Sequence, residues 1–177
     1  MLKISNANAS NIEQILDLVN QEFILSRGKT LHIKNRYPYL FDEPNFKNIF
    51  ILQEDSSDLL AVMVVKTVDL MLDGKLLRSF FFGSHVTPSL YRRLGYGRYL
   101  LKYVSDHYLS NGFDCGVGWT RLQDHYSKSG WVAFENGSYL EAELFKPEFY
   151  HQVGIEIYKS NLDSFQEVEE YRLRNTK

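Results

Sequence analysis

Apolar positions along this chain change their period several times, and each change marks a predicted element. Leu2 to Ser5 reads as a short strand. Ser10-Asn11-Ile12-Glu13 has the form of a capping box. Ile12, Ile15, Leu16, Val19 and Phe23 then recur at helical spacing, so a helix with one buried face follows. From Ser26 to Lys47 no clean period survives. That stretch holds Tyr37, Tyr39, Phe41, Asp42 and Glu43 around Pro38 and Pro44, and it reads as a long loop or broken helix. Segments of this kind are often functional.

Three strands come next. Asn48 to Gln53 is the first, Asp55-Ser56-Ser57-Asp58 is a turn, and Leu59 to Asp69 is a long second strand. Asp73-Gly74 signals a tight hairpin. Lys75 to Val86 returns as the central strand, with Gly83 suggesting a bulge or a close backbone approach inside it. A helix from Arg98 to Ser110 carries Leu100, Tyr103, Val104 and His107 on one stripe and ends at Asn111-Gly112. Phe113 to Thr120 is a strand, and a strand, a helix and a strand in succession imply a right-handed parallel crossover. Leu122 to Ser129 is a short helix stopped by Gly130. Trp131 to Phe134 and Val153 to Tyr158 complete the sheet. Ser160 caps a last amphipathic helix with Leu162, Phe165, Val168 and Tyr171 or Arg172 along it. The fold class is therefore α/β, a mixed sheet flanked by helices with one parallel switch point, where α/β ligand sites concentrate.

Composition narrows the function. The 177 residues fit one domain, 1–177, in which 135–177 is a strand and helix extension. A net charge of −2 gives no global basic surface, so neither nucleic acid nor a membrane is an expected partner. Met1 to Ser10 lacks an apolar leader, and Cys115, the single cysteine, suits a reducing compartment, so the cytoplasm is expected. Aromatic residues reach 15%, which fits both a Phe- and Tyr-rich core and an aromatic-lined cleft. The five histidines and Cys115 show no metal-ligand spacing, so no metal is expected.

The richest stretch is Tyr91-Arg92-Arg93-Leu94-Gly95-Tyr96-Gly97-Arg98, between a strand and a helix. Gly95 and Gly97 carry no Cβ, so a ligand can approach the backbone. Free N–H groups at the helix start favour an anion, and Arg92, Arg93 and Arg98 add fork-shaped donors. A diphosphate is the natural occupant.

These residues resemble the acetyl-CoA signature of the GNAT N-acetyltransferase superfamily, Gln/Arg-x-x-Gly-x-Gly/Ala, which Arg92-Arg93-Leu94-Gly95-Tyr96-Gly97 matches. The flanks Val86-Thr87-Pro88 and Arg98-Tyr99-Leu100-Leu101 extend the match, with one extra residue between Pro88 and Tyr91. A second similarity is Tyr126-Ser127-Lys128-Ser129-Gly130-Trp131, which resembles the family's Tyr-x-x-x-Gly-Phe segment with Trp131 for Phe. Pro38 to Phe50 resembles a subgroup that acts on aminoglycosides and related small amines.

The resemblance implies a GNAT-like fold and acetyl transfer from acetyl-CoA to the primary amine of a small molecule or peptide. It implies a CoA site at Ser84, His85, Val86, Arg92, Arg93, Leu94, Gly95, Tyr96, Gly97 and Arg98. Tyr126 would protonate the departing thiolate, and His85, with an ordinary pKa near ~6.5, is a candidate base. A backbone N–H near Ser84 to Val86 could stabilise the carbonyl oxygen. Tyr37, Tyr39, Asp42 and Glu43 are the candidate acceptor-binding residues. A second class of function is a catalytically inactive GNAT-fold module that binds or regulates. The final helix could dock on its own sheet or on a second subunit, as in a homodimer.

Overall fold

The computed structural model describes residues 1–54, 58–72, 74–118, 120, 122–132 and 155–156. In chain order the elements are β1 (Lys3–Asn6), α1 (Ile12–Phe23), α2 (Ile33–Arg36), β2 (Ile49–Gln53), β3 (Leu59–Leu72) and β4 (Lys75–Val86). They continue with α3 (Tyr96–Ser110), β5 (Cys115–Gly118), α4 (Gln123–Ser127) and β6 (Ile155–Glu156). Strands pair in the order β1-β2-β3-β4-β5, antiparallel through β4 and parallel between β4 and β5. The middle of that order is β3, not β4. β6 pairs with the hairpin end of β3, with Met71 opposite Glu156. The rest of the predicted strand at Val153 to Tyr158, the helix from Ser160 and most of the 135–177 extension lie outside the described residues. Trp131 and Val132 are not in a strand.

Each face of the sheet buries its own core. Ile49, Ile51, Val62, Val64 and Val86 meet Ile12, Ile15, Leu16 and Val19 of α1 on one face. Phe50, Leu52, Met63, Val65, Phe80 and Phe82 meet Leu100, Leu101, Val104 and Tyr108 of α3 on the other. The aperiodic stretch after α1 belongs to the first face: it folds into 3₁₀ turns and α2, with Ile33, Leu40 and Phe41 fully packed. Asn45 is buried among them and donates from Nδ2 to the carbonyls of Leu40 at 2.9 Å and Val65 at 3.2 Å.

Several local expectations shift. The capping box does not form, because the Ser10 hydroxyl donates to Asn8 Oδ1 at 2.5 Å, and the Asn11 side chain accepts from the Asn8 N–H at 2.8 Å. α3 starts two residues early, at Tyr96, so Gly97 lies inside its first turn. Its buried stripe is Gly97, Leu100, Leu101, Val104 and Tyr108, while Tyr103 is exposed. Tyr108 sets that rotation: it stacks on Phe80 with centroids 4.7 Å apart, and its hydroxyl donates to Asn48 Oδ1 at 3.0 Å. β5 is shorter than Phe113 to Thr120. The Phe113 N–H closes the end of α3 on the Tyr108 carbonyl beside left-handed Gly112, and the Thr120 hydroxyl accepts the Leu122 N–H at 2.9 Å.

Candidate active site

The predicted bulge exists, one residue beyond Gly83. Gly83 still pairs with Val64, but the next pair is Val86 with Val62, so Ser84 and His85 face Met63 alone. Ser84 takes the extra turn with φ 45°, a left-handed conformation that costs a non-glycine residue about 1–2 kcal/mol. Strict alternation would put Ser84 and Val86 on the same face as Phe80 and Phe82. The bulge reverses this: Val86 drops into the α1 core, and His85 turns towards α3 and α4.

On that side His85 is held at both nitrogens. Nε2 lies 3.1 Å from the carbonyl oxygen of Gly97, and Nδ1 lies 3.0 Å from the hydroxyl of Tyr126. A carbonyl only accepts, so Nε2 carries the hydrogen and Nδ1 accepts from Tyr126. Burial, with His125 nearby, pushes the imidazole down to about 4, partly opposed by the Gly97 carbonyl. That departs from the ordinary pKa that recommended His85 as a base, and its lone pair is already taken. Tyr126 stacks on Phe82 with centroids 5.1 Å apart, and burial pushes its phenol up to about 12, with the Thr120 hydroxyl acting the other way.

Among the described residues the pairing of β4 with β5 runs from Ser79 opposite Cys115 to Phe82 opposite Gly118, and none stands opposite 83–86. Ser84 to Val86, which carry the bulge, thus lie beside the His85–Tyr126 pair. Gly116 and Gly118 are forced by neighbours: a Cβ on Gly118 would strike the Phe82 ring, and one on Gly116 would strike Phe80 and Trp131.

Next to this lies the start of α3. Gly95 is its N-cap at φ 91°, with open space where a Cβ would stand and no side chain capping the helix. Arg93 precedes it at φ 65°. Arg93 and Arg98 are exposed and form no ion pair among the described residues. Arg92 is engaged: Nε donates to the Thr87 carbonyl at 3.1 Å, and its guanidinium pairs with Glu22 of α1. Among the described residues no cluster of three His, Cys, Asp or Glu is placed to hold a metal.

A scan against protein-family models finds no match, and a search of curated proteins finds no relative. Solved structures are informative. A predicted acetyltransferase from Clostridium acetobutylicum, solved with acetyl-CoA, aligns with a TM-score of 0.63 at 14% identity over 85% of this chain and 99% of that one. Glucosamine-6-phosphate N-acetyltransferase from Arabidopsis thaliana aligns at 0.58 and 16% identity over 82% and 99%. A GCN5-related N-acetyltransferase from Ralstonia eutropha aligns at 0.60 and 12% over 83% and 98%. The chain has the GNAT fold.

On this GNAT scaffold the predicted residues divide into three groups. Ser84, His85, Gly97 and Tyr126 come together at the end of β4. Arg93, Leu94, Gly95, Tyr96 and Arg98 form the turn into α3, with Leu94 exposed and Tyr96 edge-on to Tyr91 at 6.4 Å. Val86 has its side chain in the opposite core. Gly97 differs from expectation, since the space its missing Cβ leaves is filled by the Thr87 hydroxyl at 2.9 Å and His85 Nε2 at 3.3 Å, not by a ligand. Tyr37, Tyr39, Asp42 and Glu43 lie on the segment that packs on the α1 face; Tyr39 and Glu43 are exposed, and the Tyr37 hydroxyl accepts from Arg36 Nε at 2.9 Å.

Two residues were not anticipated. His125 places its ring 5.8 Å from that of His85 and 5.1 Å from Tyr126, with its pKa lowered by burial and by Arg98. Its position beside Tyr126 in the sequence was the available signal. Glu22 holds Arg92 from 70 residues away, and no local pattern foretells that.

Proposed function

We propose that this chain is a cytoplasmic N-acetyltransferase that moves an acetyl group from acetyl-CoA to the primary amine of a small molecule or peptide. The observation that carries this reading is the Tyr126 hydroxyl held by His85 at the bulged end of β4, beside the N-terminus of α3, which no side chain caps. The residues fit a donor that bears a diphosphate. Gly95 leaves the backbone open, the first-turn N–H groups of α3 have no side-chain cap, and Arg93 and Arg98 supply charge.

Acetyl-CoA, when bound, supplies a thioester: the C–N bond to the amine forms, the C–S bond breaks, and the proton the nitrogen loses balances the one the sulfur gains. The chain's own part is electrostatic and protonic. A backbone N–H near Ser84 to Val86, at the bulge, would stabilise the carbonyl oxygen as it gains charge. Tyr126 delivers the proton, a role typically worth about 10²–10⁴-fold. Asp42 and Glu43 attract a cationic amine, with Tyr37 and Tyr39 beside them in the chain.

The test is thiol release from acetyl-CoA against a panel of amines, with wild type and Tyr126→Phe side by side. Phenylalanine keeps the stack on Phe82. We expect kcat to fall at least 100-fold with little change in acetyl-CoA affinity. Acetyl-CoA that neither binds nor releases thiol with any amine would overturn the reading.

A further inference from the structure

We propose that His85 and Tyr126 form one proton relay, in which His85 acts only through Tyr126 and never meets the amine. This rests on the acetyltransferase reading above. The direction of the hydrogen bonds carries it. The Gly97 carbonyl pins hydrogen on Nε2, so Nδ1 offers a lone pair, and the Tyr126 hydroxyl donates to it. A hydroxyl that already donates to an imidazole has only lone pairs left to offer, one of which the Thr120 hydroxyl engages. Its first available move is therefore to receive a proton, not to give one.

The steps balance. The amine nitrogen, once bonded to the acetyl carbon, loses a proton to the Tyr126 oxygen, and the phenolic proton moves to His85 Nδ1. As the C–S bond breaks, the sulfur takes a proton from Tyr126, and His85 returns its extra proton to the phenol oxygen. Nitrogen has lost one proton, sulfur has gained one, and both residues end as they began. A single hydroxyl thus serves both halves of the reaction, and no second base is required.

The surroundings suit transient storage. His85 faces Tyr126, His125, the Gly97 carbonyl and the Thr87 hydroxyl that flanks Gly97, and Arg98 lies near His125. Among the described residues no carboxylate bonds to either imidazole, so a proton on His85 is readily given back. The strut is also built for rigidity. The Ser84 bulge aims the ring, and the missing Cβ of Gly97 makes room for it.

A double-mutant cycle tests the relay. His85→Asn can put Oδ1 near the position of Nδ1 and accept from Tyr126, yet it cannot store a proton. We expect His85→Asn and Tyr126→Phe each to lower kcat roughly 100-fold, with the double variant no lower than the worse single one. Losses that multiply in the double variant would overturn the relay in favour of separate acid and base. Near-normal turnover in His85→Asn would overturn it in favour of simple positioning. Melting curves with acetyl-CoA confirm that each variant is folded and loaded, and His85→Gln stands in if His85→Asn does not fold. A readout without turnover is the ¹⁵N resonance of the imidazole. An Nε2–H tautomer whose Nδ1 signal shifts in Tyr126→Phe is expected, and an Nδ1–H tautomer would overturn the proposal. A wild type that binds acetyl-CoA but acetylates no amine would sink the transfer reading and the relay together; an active wild type with multiplying losses would sink the relay alone.

Discussion

Gly97 and His85 compete for the same space. A Cβ on Gly97 would stand 3.3 Å from His85 Nε2 and 2.9 Å from Thr87 Oγ1. Alanine in a helix interior ordinarily gains up to about 1 kcal/mol over glycine. At Gly97 that gain is offset because Thr87 is short and branched and the His85 ring is fixed at both nitrogens. Gly97→Ala should therefore leave the melting temperature within a few degrees while lowering kcat at least tenfold, as His85 is displaced from Tyr126. Gly97→Val should lower the melting temperature outright, so it cannot report on cofactor binding alone. An alanine variant with wild-type turnover would show that the ring tolerates displacement.

The three arginines of the turn should separate by role. Arg92 is held by Glu22 and the Thr87 carbonyl. An exposed pair of this kind contributes about 0.2–1 kcal/mol, so Arg92→Ala should cost a small amount of stability and leave the KM for acetyl-CoA nearly unchanged. Arg93→Ala and Arg98→Ala should each raise that KM by roughly tenfold, as expected for the loss of a charge-assisted hydrogen bond. The effect should shrink as salt rises. Steady-state kinetics at two ionic strengths decides it.

Gly118 should not accept a side chain while Phe82 lies over it. Gly118→Ala is expected to cost about 1–3 kcal/mol through overpacking. Adding Phe82→Leu should return part of that, giving a favourable coupling in urea unfolding. Additive losses would mean that β5 moves away instead.

Burial holds His85 near pKa about 4, against 6.5 for a free imidazole. As pH falls, the unfolded chain takes up this proton before the folded one does. The associated stability is complete above about pH 6.5 and is lost progressively down to about pH 4, in all roughly 3 kcal/mol. Urea unfolding at pH 7 and pH 5 should show the fall. His85→Gln should flatten it; an unchanged slope in that variant would assign the titration to another group.

Periodicity along the chain was enough to place β2, β3, β4 and α1, because burying one face imposes a local spacing that survives in the sequence. The Asp73-Gly74 hairpin signal is local too, and β3 and β4 do pair as neighbours with Leu72 opposite Lys75. The glycine- and arginine-rich turn before α3 was legible for the same reason. The rotation of α3 was not, because a stack of Tyr108 on Phe80 and a bond to Asn48 fix it from other strands. Nor was the occupation of Arg92 by Glu22, or the seat of His85 against Gly97. The decisive step is the bulge at Ser84. Alternation along β4 puts His85 on the face opposite Phe82, and only the pairing of Val86 with Val62 reverses it. Sequence alone determined most of the elements among the described residues and the glycine- and arginine-rich turn that opens α3. Tertiary structure decided which side chains meet there, because register and burial depend on partners distant in the chain.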